Sequence, residues 1–256
     1  MRVLHLISRR LAASIDRLSR MFRKSARVGI QPEFVVIVTF GRSGSTVLQS
    51  ALNRIPGVVV RGENFGATRH LFRAFEAILK THTEHGGVGT LAKNDPMYGA
   101  HLLQPSKFLS EMRRIVTEDI LQVGPGTVLA GFKEVRYTPS HYSDYEEFLR
   151  HLLFLESCLP GLRFVMNVRD VAGASQSGWW AGDEHATQIL TVATKWIRQA
   201  VADINKEFHE TRAILMDYEE WRFDATKLVY MAHFLGQQLS DEESRACLDE
   251  TLRHMR

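Results

Sequence analysis

The apolar positions of this chain fall into short unbroken runs that alternate with longer periodic stretches. Phe34-Val-Val-Ile-Val-Thr-Phe40 is apolar and β-branched, and it reads as a fully buried strand. The run breaks at Gly41, and a helical pattern starts at Val47 and Leu48 and continues through Ala51 and Leu52 to Ile55. The same reading predicts strands near 34–40, 57–61, 127–132, 162–168 and 212–216. Helices are predicted near 45–55, 67–80, 105–122, 143–158, 171–180, 185–209, 221–236 and 240–254. Such alternation signals a parallel sheet with right-handed crossovers. The expected fold class is α/β: a single domain with a central parallel sheet flanked by helices and a P-loop-like strand-loop-helix. The stretch 81–104, with His82, Gly86, Gly87, Gly89 and Pro96, has weak periodicity and reads as a long lid or acceptor loop.

The turn after the first strand carries the first chemistry. In Gly41-Arg-Ser-Gly-Ser-Thr46, the backbone N–H groups of a tight turn and a helix start point at one place, where the helix dipole favours negative charge. Gly41 and Gly44 let the backbone approach an oxyanion, and Ser43, Ser45 and Thr46 offer hydroxyl donors. A nucleoside-triphosphate loop needs Gly-x-x-x-x-Gly-Lys-Ser/Thr. Here Ser45 stands at the lysine position and Thr39 at the first glycine. The positive charge comes instead from Arg42, so a phosphate-like group without magnesium-bound triphosphate is expected.

A second strand ending in a basic residue follows about 120 residues later: Arg163-Phe-Val-Met-Asn-Val-Arg169, then Asp170-Val-Ala-Gly-Ala-Ser-Gln-Ser177. Asp170 can cap a helix start, which puts Ser177 about two turns on. A guanidinium fork and a hydroxyl suit a phosphate. Alternatively, Arg169 pairs with Asp170 or another acid and Ser177 caps or solvates a helix.

Together these residues resemble the donor site of sulfotransferases that use 3′-phosphoadenosine 5′-phosphosulfate (PAPS). Gly41–Thr46 looks like the 5′-phosphosulfate loop, and the spacing of Arg169 and Ser177 is similar to that of the family's 3′-phosphate pair. The resemblance implies PAPS as donor, adenosine 3′,5′-bisphosphate as product and a hydroxyl acceptor. The likeness is to bacterial, carbohydrate and tyrosylprotein-type enzymes, which makes a glycan or lipid-linked sugar the expected acceptor. Donor-binding residues are then Arg42, Ser43, Gly44, Ser45, Thr46, Arg169 and Ser177. Glu63, after the strand Pro56-Gly-Val-Val-Val-Arg-Gly62, is similar to the family's catalytic base. Arg42 and Lys133 are expected to stabilise charge on the leaving phosphate and the sulfuryl group. Competing readings give Glu63 a salt bridge to Arg61 or Arg69, and pair Lys133 with Glu134. His101, His141 and Glu134 are reserve bases. The chain departs from cytosolic phenol- and steroid-type enzymes: Arg42 replaces their loop lysine, and no late Gly-x-x-Gly-x-x-Lys is present.

Trp179 and Trp180 read more readily as helix core than as ligand-stacking rings. Asp217-Tyr218-Glu219 either shapes the acceptor side or caps the next helix, and capping is the simpler reading.

Composition adds few constraints. With 256 residues, 45% of them apolar, the chain can bury one full-sized core. Cys158 and Cys247 cannot form a disulfide framework and read as core positions in a reducing compartment. No Cys/His cluster has metal spacing, so no metal is expected. Residues 1–30 hold eight basic residues and one acidic, Asp16, so this segment carries +7 and the rest −4 of a net +3. Leu4, Ile7, Leu11, Ile15, Leu18 and Phe22 recur at helical spacing. This basic amphipathic segment lies on an anionic membrane surface, serves as a targeting peptide, or packs on or frays from the domain at 31–256; all three readings stay open. The expected location is cytoplasmic, with peripheral membrane contact through residues 1–30. Basic residues lack interleaved aromatics, which argues against nucleic acid. Two rivals remain: a P-loop nucleotide kinase, and a non-catalytic nucleotide- or anion-binding protein.

Overall fold

The computed structural model describes residues 32–254 except Val88 and Thr90. The basic amphipathic segment expected at 1–30 lies outside the described residues. The described chain clusters into two compact units.

The larger unit, 32–65, Val123–Leu149 and 161–254, holds a five-stranded parallel sheet. Its strands are β1 (Glu33–Val38), β2 (Val58–Arg61), β3 (Leu129–Glu134), β4 (Arg163–Val168) and β5 (Ala213–Asp217), in the order β2-β3-β1-β4-β5. The strands read as continuous apolar runs because both faces are covered. Val35, Ile37, Val165, Ile214 and Met216 belong to one core with helix α1 (Ser45–Asn53) and, later in the chain, Leu228, Met231, Ala232 and Leu235. The opposite face lies under the long helix Ala186–Phe208, which buries Leu190, Ala193, Ile197, Ala200 and Ile204. β1 is central, and the chain leaves it towards β2 on one side and later returns to β4 and β5 on the other. Such a switch opens a crevice beyond the carboxyl ends of the strands. Those ends carry Arg42, Lys133 and Arg169, with Glu63 two residues past the end of β2.

The smaller unit, Gly66–Gln122 and Arg150–Pro160, is helical. It contains α2 (Ala67–His85), a 3-10 turn at Ala100–Leu102, and α3 (Pro105–Arg114), which runs on as a π-helix over Ile115–Ile120. Helix α4 (Tyr145–Cys158) follows β3, and its second half, from Arg150, belongs to this unit. Phe72, Phe75 and Phe154 form an aromatic core there, and Arg150 Nε donates to Glu76 at 2.8 Å.

Several boundaries differ from expectation, each for a local reason. The helix predicted to end at 80 continues to His85 and is closed by Gly86, whose N–H donates to the His82 carbonyl at 2.8 Å. The predicted loop 81–104 is therefore helical in its first turn. The helix predicted over 171–180 is only α5 (Val171–Ser175), capped by the Asp170 carboxylate on the Gly173 N–H at 2.8 Å. Ser177 is extended, and Gly178, at φ 60°, turns the chain into a 3-10 segment, Gly178–Gly182. A Cβ on Gly178 would lie 2.9 Å from Arg42 Nε. The long helix after it is α6 (Ala186–Phe208). The helix predicted over 221–236 is two, α7 (Tyr218–Trp221) and α8 (Thr226–Phe234), separated by Asp224, whose carboxylate accepts from the Thr226 N–H and hydroxyl. The last helix, α9, is Asp241–His254. Cys158 and Cys247 are buried thiols, as expected. No helix among the described residues is long and apolar enough to cross a membrane.

Candidate functional site

The turn from β1 to α1 opens a cleft of about 340 Å³, lined by loop residues Gly41–Val47 together with Glu63, Lys133, Arg169, Trp179 and Tyr218. α1 begins after Gly44 with no side-chain cap and no acidic residue in its first turn. Its first N–H groups are therefore left for a ligand, at the positive end of the helix dipole. Gly44 sits at φ 80°, and a Cβ there would lie 2.4 Å from the Tyr218 ring. Only glycine meets both conditions.

Arg42 is exposed, and its backbone is left-handed at φ 68°. Its Nε donates to Ser177 Oγ at 3.1 Å, and its guanidinium lies 5.9 Å from the Trp179 ring centroid. Arg169 Nη1 donates to the Arg42 carbonyl at 2.9 Å, and its guanidinium stacks 4.7 Å over Tyr218. Arg169 Nε is buried and makes no hydrogen bond among the described residues. A buried donor of a charged group without an acceptor is what a bound anion would satisfy. The predicted loop and the predicted Arg169–Ser177 pair are thus brought together, joined through Arg42.

Ser43 and Ser45 are buried, whereas Thr46 is exposed. The Ser43 hydroxyl lies 2.6 Å from that of Thr39. What Ser43 can turn towards a ligand is its backbone N–H rather than the hydroxyl assigned from sequence.

Beside the loop stands an ion cluster. Lys133, 6% exposed, donates to Glu63 Oε1 at 2.7 Å, and Arg136 Nη1 donates to Glu63 Oε2 at 3.2 Å. Burial raises the Glu63 pKa, but the hydrogen bond and charge of Lys133, joined by those of Arg136, outweigh it and hold the carboxyl below its usual range. Glu63 is salt-bridged, but to Lys133 and Arg136, partners that differ from the Arg61 or Arg69 of the competing reading. Lys133 pairs with Glu63 rather than with neighbouring Glu134. Glu134 is buried, and its carboxylate binds Arg136 Nη1 at 2.7 Å and accepts from the N–H groups of Val135, Arg136 and Asn64. Those bonds make Glu134 a bracket for this corner rather than a free base.

The arrangement can hold two anionic groups near an ionised carboxylate flanked by the buried Lys133 and the partly buried Arg136. The sulfotransferase domain of the Synechococcus PCC 7002 olefin synthase is similar over 85% of this chain and 78% of its own, with a TM-score of 0.51 at 20% identity. The chain has the fold of a sulfotransferase. The sulfotransferase STF9 from Mycobacterium avium is similar over 95% of this chain and 72% of its own, at 15% identity and a TM-score of 0.42. No family model and no curated protein sequence matches the chain.

Within this sulfotransferase fold, four residues at the site escaped the sequence reading. Trp179, expected in the core, is 62% exposed, and its ring covers Gly41, where a Cβ would lie 2.2 Å from Cζ2. Trp180 donates its indole N–H to the Gly41 carbonyl at 3.0 Å. Both follow the bend at Gly178, so neither lies on a helix with an apolar face. Tyr218 does begin a helix capped by Asp217, as expected, but its ring also lines the cleft. Arg136 lies two residues past β3, and a bridge to Phe40 brings its backbone beside the end of β1. Proximity to Glu63 in a sequence pattern could not have pointed to Arg136, 73 positions away.

Proposed function

We propose that this chain is a sulfotransferase that moves a sulfuryl group from PAPS to a hydroxyl of an acceptor, with a glycan or lipid-linked sugar as the expected class. The observation that carries the reading is the joining of the uncapped loop to Arg169 and Ser177 through Arg42, beside the Glu63–Lys133 pair. The loop N–H groups, with Ser45 and Thr46, hold the 5′-phosphosulfate. Arg169 and Ser177 hold the 3′-phosphate together with the Arg42 guanidinium, whose Nε lies on Ser177 rather than in the leaving-phosphate role expected of it, and the buried Nε of Arg169 supplies a donor that has no acceptor among the described residues.

Transfer then runs in line, from the phosphate oxygen of the donor to the acceptor oxygen, much as in phosphoryl transfer. Glu63 takes the proton of the acceptor hydroxyl as its oxygen attacks sulfur. The sulfur–oxygen bond to the phosphate breaks, and adenosine 3′,5′-bisphosphate leaves with the bond electrons. Lys133 neutralises the developing charge on the bridging oxygen. In the free protein Lys133 holds Glu63 ionised; once it turns towards the leaving oxygen, Glu63 regains basicity. The low pKa of Glu63 is in this way a resting state and the source of coupling between donor and base.

Incubation with sulfur-labelled PAPS and a panel of sugar, phenol and peptide hydroxyl acceptors in EDTA tests the reading. Label is expected in an acceptor, with stoichiometric release of adenosine 3′,5′-bisphosphate. Retention of all label in PAPS, with phosphate transfer from magnesium-ATP instead, would replace this reading with the nucleotide kinase.

A further inference from the structure

β4 is covered on both faces, yet its fifth residue is a fully buried amide, Asn167. Nδ2 donates to the Ser43 carbonyl at 3.0 Å and lies 3.3 Å from Thr39 Oγ1, while Oδ1 accepts the indole N–H of Trp221 at 3.1 Å. An indole only donates and a carbonyl only accepts, so the orientation of this amide is fixed. The main-chain carbonyl of Asn167 accepts the Thr39 hydroxyl at 2.9 Å. A side chain with this many engaged groups is doing more than filling space.

The Ser43 carbonyl is the last of three consecutive loop carbonyls held by side chains from one segment. Trp180 holds the Gly41 carbonyl, Arg169 that of Arg42 and Asn167 that of Ser43, at 3.0, 2.9 and 3.0 Å. A trans peptide is planar, so its N–H points opposite to its C=O. Anchoring the carbonyls of residues 41, 42 and 43 therefore aims the N–H groups of Arg42, Ser43 and Gly44 away from the anchors. All three residues line the cleft. The left-handed backbone of Arg42 and Gly44 is that of an anion-binding concavity, which a free loop would not keep.

We infer that Asn167 and Trp180 are positioning residues: with Arg169 they hold the loop carbonyls so that three successive N–H groups converge on the 5′ anion of the donor. The inference rests on the donor site proposed above, and it assigns these two residues to the 5′ group alone. Neither touches the ligand. Both act through the peptide planes of the loop, in advance of binding, which lowers the ordering that binding itself must impose.

The test compares adenosine 3′,5′-bisphosphate with adenosine 3′-monophosphate by calorimetric titration, in the full chain and in Asn167→Leu and Trp180→Phe. The ratio of the two affinities isolates what the 5′ group contributes. In each variant the preference for the bisphosphate is expected to fall about tenfold, the scale of one buried hydrogen bond, while 3′-monophosphate affinity stays unchanged. Trp180→Phe keeps an aromatic ring, smaller than the indole, while removing the donor to the Gly41 carbonyl, so it reports even where Asn167→Leu fails to fold. Equal weakening of both ligands would show a merely structural role, and an unchanged ratio would show no role; either overturns the inference. A parent protein that binds neither nucleotide would instead overturn the donor site on which it rests.

Discussion

Glu63→Gln is expected to lower sulfuryl transfer by about 10²- to 10⁴-fold, the usual contribution of a positioned base, with donor affinity unchanged. A glutamine carbonyl can still accept from Lys133 Nζ, which lies 2.7 Å from Oε1, and Arg136 Nη1, which loses its acceptor on Oε2, keeps Glu134 at 2.7 Å. Steady-state rates with a responsive acceptor, set beside the affinity for adenosine 3′,5′-bisphosphate, separate the two effects. Full turnover in Glu63→Gln would remove Glu63 from the base role. Loss of binding along with turnover would make it a structural carboxylate.

Lys133→Ala is expected to cost about 3–4 kcal/mol of transition-state stabilisation, the loss typical of one donor aimed at developing charge. It also carries a pH signature. Burial raises the Glu63 pKa, and Lys133 and Arg136 together bring it below the usual value. A base works only when ionised, so kcat/KM, which reports the free protein, falls as pH drops through the Glu63 pKa, and in the wild type this acid limb lies below the ordinary carboxylate range. With Lys133 gone, burial is opposed by Arg136 alone and the limb moves to higher pH. The same depressed pKa stabilises the fold above the unfolded carboxylate pKa, and this stabilisation is lost as pH falls through the folded value. Rate profiles of the two proteins check the shift. An acid limb that stays in place would mean that Glu63 is not the group titrating in the rate.

The loop at Gly41–Thr46 and the strand end at Arg169 were legible because their signals are local. A buried strand, a small-residue turn and a helix start need only about twenty consecutive residues to be recognised, and Arg169 repeats that logic at the end of β4. The parallel sheet was legible for the same reason, since strands covered on both faces leave unbroken apolar runs. What sequence could not supply is the order β2-β3-β1-β4-β5, which sets β3 beside β1 and carries Lys133 and Arg136 to Glu63. Asn167 was invisible because a polar residue inside an apolar strand has no distinguishing period. Trp179 was misread because large aromatics are usually buried, whereas the bend at Gly178 turns this one outward. Ser177 was expected on a helix, but the helix ends at Ser175, and the extended Ser177 places its hydroxyl on Arg42.

The central claim is that Arg169 and the loop at Gly41–Thr46 form one site for a nucleotide with phosphates at both ribose positions. Calorimetric titration of the full chain with adenosine 3′,5′-bisphosphate and, in parallel, ATP, both in EDTA, tests it most directly. The account predicts metal-independent binding of the bisphosphate, lost in Arg169→Ala. Absence of that binding, or ATP binding that appears only when magnesium is restored, would contradict it.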